Sequence, residues 1–305
     1  MLSTAELVFD TSTTMGLGQR ERQEDAVASD FSAGDGFGFV VLADGMGGHA
    51  AGDVASKIVV AEVFSHLKLQ SGDRDLLERR IGEVLERAAV SANRRVGHYS
   101  RQRPDATGMG ATLLAPVFIQ DRLYWVSVGD SPLYLFRGDK LVRLNENHAL
   151  MSQIDYLVDN GIMDRDQALS HPDPSCLTSV LIGRDIAQLD CRTAPVTLEP
   201  GDILIVASDG LQTLCEDQIE GVLRFSQKRP AEEIGTLLMT ELGNLNDPCQ
   251  DNVSICVVKV VDPAATLATT PEAMRAVSCS RRDGNTAITL TLMARGGTPR
   301  KATGT

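Results

Sequence analysis

Four aspartates stand where apolar runs begin or end: Asp44 after GFVVLA, Asp130 after LYWVSVG, Asp209 after DILIVAS, and Asp251 just ahead of NVSICVV. Two of them are followed by glycine, as Asp44-Gly45 and Asp209-Gly210, a pair that allows a tight turn and a close approach of a ligand to the backbone. Oxygen-only donors suit hard cations such as Mg2+ and Mn2+. Zinc fits less well, because no His/Cys set has its ligand spacing. Each feature also has a plainer reading. Asp-Gly is a common turn, and RERQED (Arg20 to Asp25, with Glu24 and Asp25 adjacent) reads equally as a solvated charge run. Repetition at the ends of buried strands favours a cation site, provided a mixed sheet brings those ends to one rim. The histidines at 49, 66, 98, 148 and 171 are scattered, and most read as surface or helix residues.

The elements that must position these aspartates follow from hydrophobic pattern. Short runs rich in Val, Ile and Leu predict strands at 38–43, 111–118, 123–128, 133–136, 203–207 and 253–260. Short gaps between 111 and 136 predict antiparallel hairpins. Helical periodicity predicts helices over 50–69, 74–99, 149–160, 216–225 and 231–242. Helices and strands come in blocks, which favours α+β layers over a doubly wound parallel sheet. The polar, turn-rich stretch 145–185 reads as a flap inserted between core strands. From 262 to 305 the chain is rich in Thr, Ala and Gly, with six basic and three acidic residues, and is expected to be a largely disordered tail. Within it, AITLTLMA (287–294) has only a weak strand pattern.

Composition sets outer bounds. Of 305 residues, 43% are hydrophobic but only 4% aromatic, so a core must rest on aliphatic side chains. With 41 acidic against 29 basic residues the formal charge is −12, which argues against a nucleic-acid partner. That acidity serves solubility as readily as metal binding. The six cysteines show no C-x-x-C spacing and several lie in apolar stretches, so they read as buried free thiols of a reducing compartment. No run approaches the ~20 apolar residues of a membrane span. MLSTAELVFD lacks the basic start and apolar run of a signal peptide, which makes the cytoplasm the expected location. No G-x-x-x-x-G-K-[ST] loop is present, which excludes a Walker-type nucleotide hydrolase.

Taken in order, RERQED, ADGMGGHAAGDVAS, TGMGAT, VGDSP, PGDILIVASDGL and the late Asp251-Asn252 resemble the metal-dependent protein phosphatases (the PPM or type-2C group) in their bacterial form. The resemblance covers about residues 8–261, giving a phosphatase domain over 1–261 with its flap near 145–185. It implies a four-layer α-β-β-α sandwich with two mostly antiparallel central sheets. It also implies hydrolysis of phosphoserine and phosphothreonine by a metal-activated water, with no covalent phosphoenzyme. Two core Mn2+ or Mg2+ ions are implied, with a third, weaker one. Asp44 would bridge two ions with the Gly45 carbonyl on the second; Asp209 and Asp251 would complete the first. Glu24 and Asp25 would hold ion-bound waters, Asp130 the third ion with help from Asp209, and Arg20 the substrate phosphate. The implied partners are phosphoproteins and a cognate Ser/Thr kinase, and the implied state is a monomer. The sequence departs from the family pattern at Gln23, Ala111 and Pro132, where Asn, Thr and Arg are usual. Met46 stands where many eukaryotic relatives carry His, and His49 reads as structural at a helix start.

Overall fold

The computed structural model describes residues 7–31, 36–47, 51–150 and 176–262. The expected tail after Asp262, the weak strand at 287–294, His49, and residues 151–175 of the expected flap, with most of the helix expected at 149–160, lie outside the described residues.

Among the described residues, eleven strands form two sheets. One has the order β1 (Val8–Gly16), β11 (Val253–Val261), β10 (Ile203–Ala207), β7 (Leu133–Arg137), β8 (Lys140–Arg143). The other runs β2 (Asp25–Phe31), β3 (Phe37–Met46), β5 (Leu113–Ile119), β6 (Arg122–Val128), β9 (Asp190–Thr197), with the two-residue β4 (Gly110–Ala111) against the end of β3. Every pairing is antiparallel, so the rim belongs to antiparallel sheets and not to a mixed one.

Side-chain alternation along the strands builds three apolar layers. On β3, Phe39, Val41 and Ala43 face helices α1 (Ala51–Gln70) and α3 (Ile81–Gln102). Val40 and Leu42 face the other sheet, where they pack with Leu204, Val206, Cys256 and Val258. The outer face of that sheet presents Ile205, Ile255 and Val257 to α4 (Glu216–Ser226) and α5 (Ala231–Leu245). The result is the α-β-β-α sandwich. In α1 the buried residues Ala51, Ala55, Val59, Val63 and Leu67 fall four apart, a single stripe. The helix expected over 74–99 is two: Arg80 leaves helical geometry and separates α2 (Arg74–Arg79) from α3, while buried Leu77 and Ile81 carry the stripe across the break.

Only part of the expected hairpin run from 111 to 136 forms. β5 and β6 turn at Gln120 and Asp121, with Gln120 in the left-handed region. After β6 the chain leaves its sheet: Gly129, at φ 107, starts a crossover that delivers β7 to the other sheet. β7 then pairs with β8 across Gly138-Asp139, both at positive φ, the geometry that matches strand twist in a two-residue turn.

Gly221, exposed in the middle of α4, has nothing within 4 Å of where a Cβ would stand. Gly221→Ala should stabilise the protein by roughly 0.5–1 kcal/mol, read as a raised Tm with unchanged activity.

Candidate active site

Antiparallel order explains how distant aspartates meet. Where neighbouring strands run oppositely, one end of the sandwich collects the start of one strand and the finish of the next. β2 begins at Asp25, which sits directly across from Asp44 on β3. β10 ends ahead of Asp209, which opens a 3-10 turn, and Asp251 stands two residues before β11. The carboxylates therefore come from the shared end of both sheets. Asp44 is not a strand terminus: β3 continues to Met46 because β4 pairs Ala111 with Gly45 and Gly110 with Met46.

Small polar groups fix the frame. The Asp44 amide donates to Thr112 Oγ1 at 2.9 Å, and the Thr112 amide returns a bond to the Asp44 carbonyl at 2.8 Å. Ser208 Oγ donates to Asp25 Oδ2 at 2.7 Å and accepts from the Ser254 amide at 2.9 Å, which ties β2 to the other sheet. Asn252 accepts from the Glu24 amide at 2.7 Å and donates to the Leu17 carbonyl at 2.8 Å, fixing the Arg20–Glu24 loop to the start of β11. Gly18 (φ 62) lets that loop approach, since a Cβ there would lie 2.2 Å from the Asp251 carbonyl oxygen.

The carboxylates crowd. Asp44 is raised well above the ordinary carboxylate range by burial, then by Asp25, Asp209, Asp130 and Asp251. Asp209 is pushed up to about 7 by burial, then by Asp130, Asp251 and Asp25. Burial pushes Asp25 up to about 6 against the opposing hydrogen bond from Ser208. Burial also raises Asp130, with a backbone hydrogen bond and Arg143 acting the other way, and raises Glu24, with Arg20 opposing. Asp25 Oδ1 and Asp209 Oδ1 are buried without a hydrogen-bond partner. Among the described residues, no three Asp, Glu, His or Cys side chains already stand at ligand spacing. The fit to a cation thus rests on charge and orphaned oxygens and not on a preformed polyhedron. It is nonetheless a good fit: a divalent ion gives those oxygens a partner and cancels the repulsion, and an all-oxygen donor set suits Mg2+ or Mn2+.

All eight expected residues reach this end of the molecule, in two groups. Asp25, Asp44 and Asp209 cluster in the interior with Asp130 beside them. Arg20 and Asp251 lie nearer the surface, joined by a 2.6 Å ion pair, next to Glu24. Gly45 is locked between main chains: its amide donates to the Glu24 carbonyl at 3.1 Å, and the Gly52 carbonyl of α1 packs against its α-carbon. At the departures, Gln23 donates to the Gly16 carbonyl, and Ala111 is fully buried and makes only main-chain bonds, to Leu181. Near Pro132, Arg143 from β8 donates to the Asp130 carbonyl at 2.7 Å and so places a guanidinium beside this loop.

Two expectations need correcting. His148 is neither a surface nor a helix residue; it is 2% exposed and bonded to the Gly129 amide. Of the five described cysteines, all free, only Cys256 is buried, while Cys176, Cys215 and Cys249 are exposed. Their short segments lie in loops at the surface, where neighbouring apolar residues do not dictate burial. Sequence reasoning also gave no role to Arg143 and Asn145, nor to Thr112, Ser208 and Asn252, which lie within the quoted motifs. The spacing of Thr112 and Ser208 beside aspartate-bearing strand ends was the available signal.

Residues 17–245 match the family described as protein phosphatase 2C. A serine/threonine protein phosphatase PstP of Mycobacterium tuberculosis is 34% identical over 244 residues; the match takes in 80% of this chain and 43% of that protein, so the chain spans less than half that relative's length. A serine/threonine phosphatase stp of Listeria innocua is 30% identical over 221 residues, 72% of this chain and 83% of that one. The solved catalytic domain of a PstP in complex with two manganese ions superposes with a TM-score of 0.65 at 30% identity, covering 84% of this chain and all (100%) of that one. Two antiparallel sheets between helix pairs are the architecture this chain shares with that solved phosphatase domain. The chain belongs to the protein phosphatase 2C family.

Proposed function

We propose that this chain is a metal-dependent protein-serine/threonine phosphatase acting on phosphoproteins and opposing a Ser/Thr kinase. The convergence of Asp25, Asp44 and Asp209 in one buried cluster, with Arg20 at its edge, carries this reading. Asp44, the Gly45 carbonyl, Asp209 and Asp251 would hold two core ions, Asp25 and Glu24 would hold their waters, and Asp130, with Asp209, would hold a third, weaker one. When bound, the ions supply a water acidic enough to attack phosphorus near neutral pH and offset charge on the phosphoryl oxygens. Arg20 orients the phosphate with its planar fork. Cys191 and Cys256 are poor nucleophiles, since burial pushes both up to about 11. The reading extends to a monomer, on the strength of the family resemblance, and to a cytoplasmic location. No helix among the described residues is long and apolar enough to cross a membrane.

Release of phosphate from a phosphothreonine peptide should require Mn2+ or Mg2+ and stop with excess chelator; metal-independent turnover would overturn the proposal. Arg20 bears separately on substrate. Its pair with Asp251 is exposed (58% and 36%), so parting the two costs little, about 0–1 kcal/mol. Arg20 can thus release Asp251 to an ion and turn to the phosphate. Arg20→Ala should raise KM roughly tenfold or more, the scale of a lost charged hydrogen bond, while Mn2+ affinity by calorimetry holds or tightens. A fall in Mn2+ affinity at unchanged KM would reassign Arg20 to the frame.

A further inference from the structure

Asp130 is carried by the crossover Gly129–Pro132, which belongs to neither sheet. Such a segment has no ladder to fix it, so its position must come from elsewhere. The Arg143 bond to the Asp130 carbonyl, the Thr112 Oγ1–Ser131 Oγ contact at 3.1 Å and the Ala207 amide on the Pro132 carbonyl at 3.1 Å supply part of it, and one short stretch just after β8 grips both ends. The amide of Gly129 donates to His148 Nδ1 at 3.1 Å, and the amide of His148 donates back to the Gly129 carbonyl at 3.0 Å. Three residues earlier, Asn145 accepts from the Leu133 amide at 2.8 Å and donates to the Ser131 carbonyl at 3.0 Å and Ser127 Oγ at 3.3 Å. Both side chains are buried, at 5% for Asn145 and 2% for His148. The crossover is therefore held at each end, with Asp130 between the two grips. Because Nδ1 accepts, the neutral ring carries its proton on Nε2. The His148 carbonyl in turn accepts from both the amide and Oγ1 of Thr178, each at 2.8 Å, so the ring is anchored through its own backbone.

We propose that His148 and Asn145 are positioning residues for Asp130, and that His148 sets the affinity of the weakest metal position without affecting the two core ones. This rests on the reading of Asp130 as a metal ligand given above. An outer group that orients a ligand commonly contributes 10–100-fold to metal affinity. His148 differs from a ligand in pointing its accepting nitrogen at a backbone amide and not at the carboxylate cluster.

Calorimetric titration of the full chain with Mn2+ tests this on His148→Leu, His148→Asn and Asp130→Asn. Leucine removes the acceptor; asparagine restores an oxygen near the Nδ1 position. His148→Leu should weaken the last-filled Mn2+ by about 10–100-fold and leave the tighter ones unchanged, with faster exchange of the Gly129 amide. His148→Asn should recover most of both effects. If Asp130→Asn leaves metal binding intact, the ligand reading of Asp130 fails. If Asp130→Asn loses the weak ion while folded His148→Leu keeps it, the positioning role alone fails. Equal weakening of all ions in His148→Leu, or failure of both His148 variants to fold, would make the residue a general stabiliser and overturn the assignment.

Discussion

Asp209→Asn, and likewise Asp44→Asn, should reduce turnover on the order of a thousandfold and at the same time raise the melting temperature of the metal-free protein. The two effects share one cause. Carboxylates placed to hold cations repel one another when no cation is present, and burial deepens the penalty. An amide keeps the shape and removes the charge. The sign with pH follows. A carboxyl whose folded pKa is raised favours the folded state most when protonated. Its contribution is fully present below the unfolded value near 3.9 and is lost as pH rises through the folded value, about 7 for Asp209. In chelator at pH 8, Asp209→Asn should therefore exceed the parent by about 1–2 kcal/mol, roughly 2–8 °C in Tm. The gap should narrow towards pH 4 and close in saturating Mn2+, where the parent gains from ligand binding. The rate loss reflects the several kcal/mol of charge stabilisation that a correctly held ion supplies. Near-normal turnover in either variant would sink the metal assignment, and a lower Tm in chelator at pH 8 would sink the account of crowding.

The interior of the fold was legible in the sequence, and its margins were not. The strands read from apolar runs are β3, β5, β6, β7, β10 and β11, all flanked by partners or buried on both faces. Apart from the two-residue β4, which the expected 111–118 strand ran into, the unread ones are β1, β8, β2 and β9, the edges of the two sheets. Edge strands meet solvent and carry polar residues: β1 is VFDTSTTMG, and β9, DCRTAPVT, is mostly exposed. Their pattern therefore resembles loop. This had a direct consequence at the site. Asp44 and Asp209 could be singled out because each follows a strong apolar run. Glu24 and Asp25 begin an edge strand, so residue pattern alone could not separate them from a charge run, and only the ordered motifs identified them. The Gly138-Asp139 pair was a usable hairpin signal for β8. His148 and Asn145 gave no such cue. Their partners are main-chain groups of a crossover, and an uncharged side chain that bonds backbone leaves no spacing rule behind.

Gly45→Ala is expected to be severely damaging for a single-methyl change. Gly45 has no positive φ, so its requirement is space and not conformation. A Cβ there would lie 2.1 Å from the Gly52 carbonyl oxygen, 2.5 Å from the Gly52 carbonyl carbon and 2.7 Å from the Glu24 carbonyl oxygen. All three are main-chain atoms, so no rotamer change relieves the contact. Either α1 must retreat from β3 or the Glu24–Asp25 turn must move, and each shift carries carboxylates with it. A displacement of about 1 Å is enough to cost roughly a hundredfold in rate. The buried sheets beyond the rim are untouched, so the far-ultraviolet dichroism should remain that of the parent while Tm falls and Mn2+ affinity drops. Gly52→Ala offers a graded comparison: its Cβ would meet Gly45 main-chain atoms and the Glu24 carboxyl carbon at 2.9 Å, a milder conflict in which one obstacle is a movable side chain. The expected order of activity is parent, then Gly52→Ala, then Gly45→Ala. A Gly45→Ala protein with parental rate and Mn2+ affinity would mean that the junction of β3 with α1 yields freely, and that the site does not depend on that close approach.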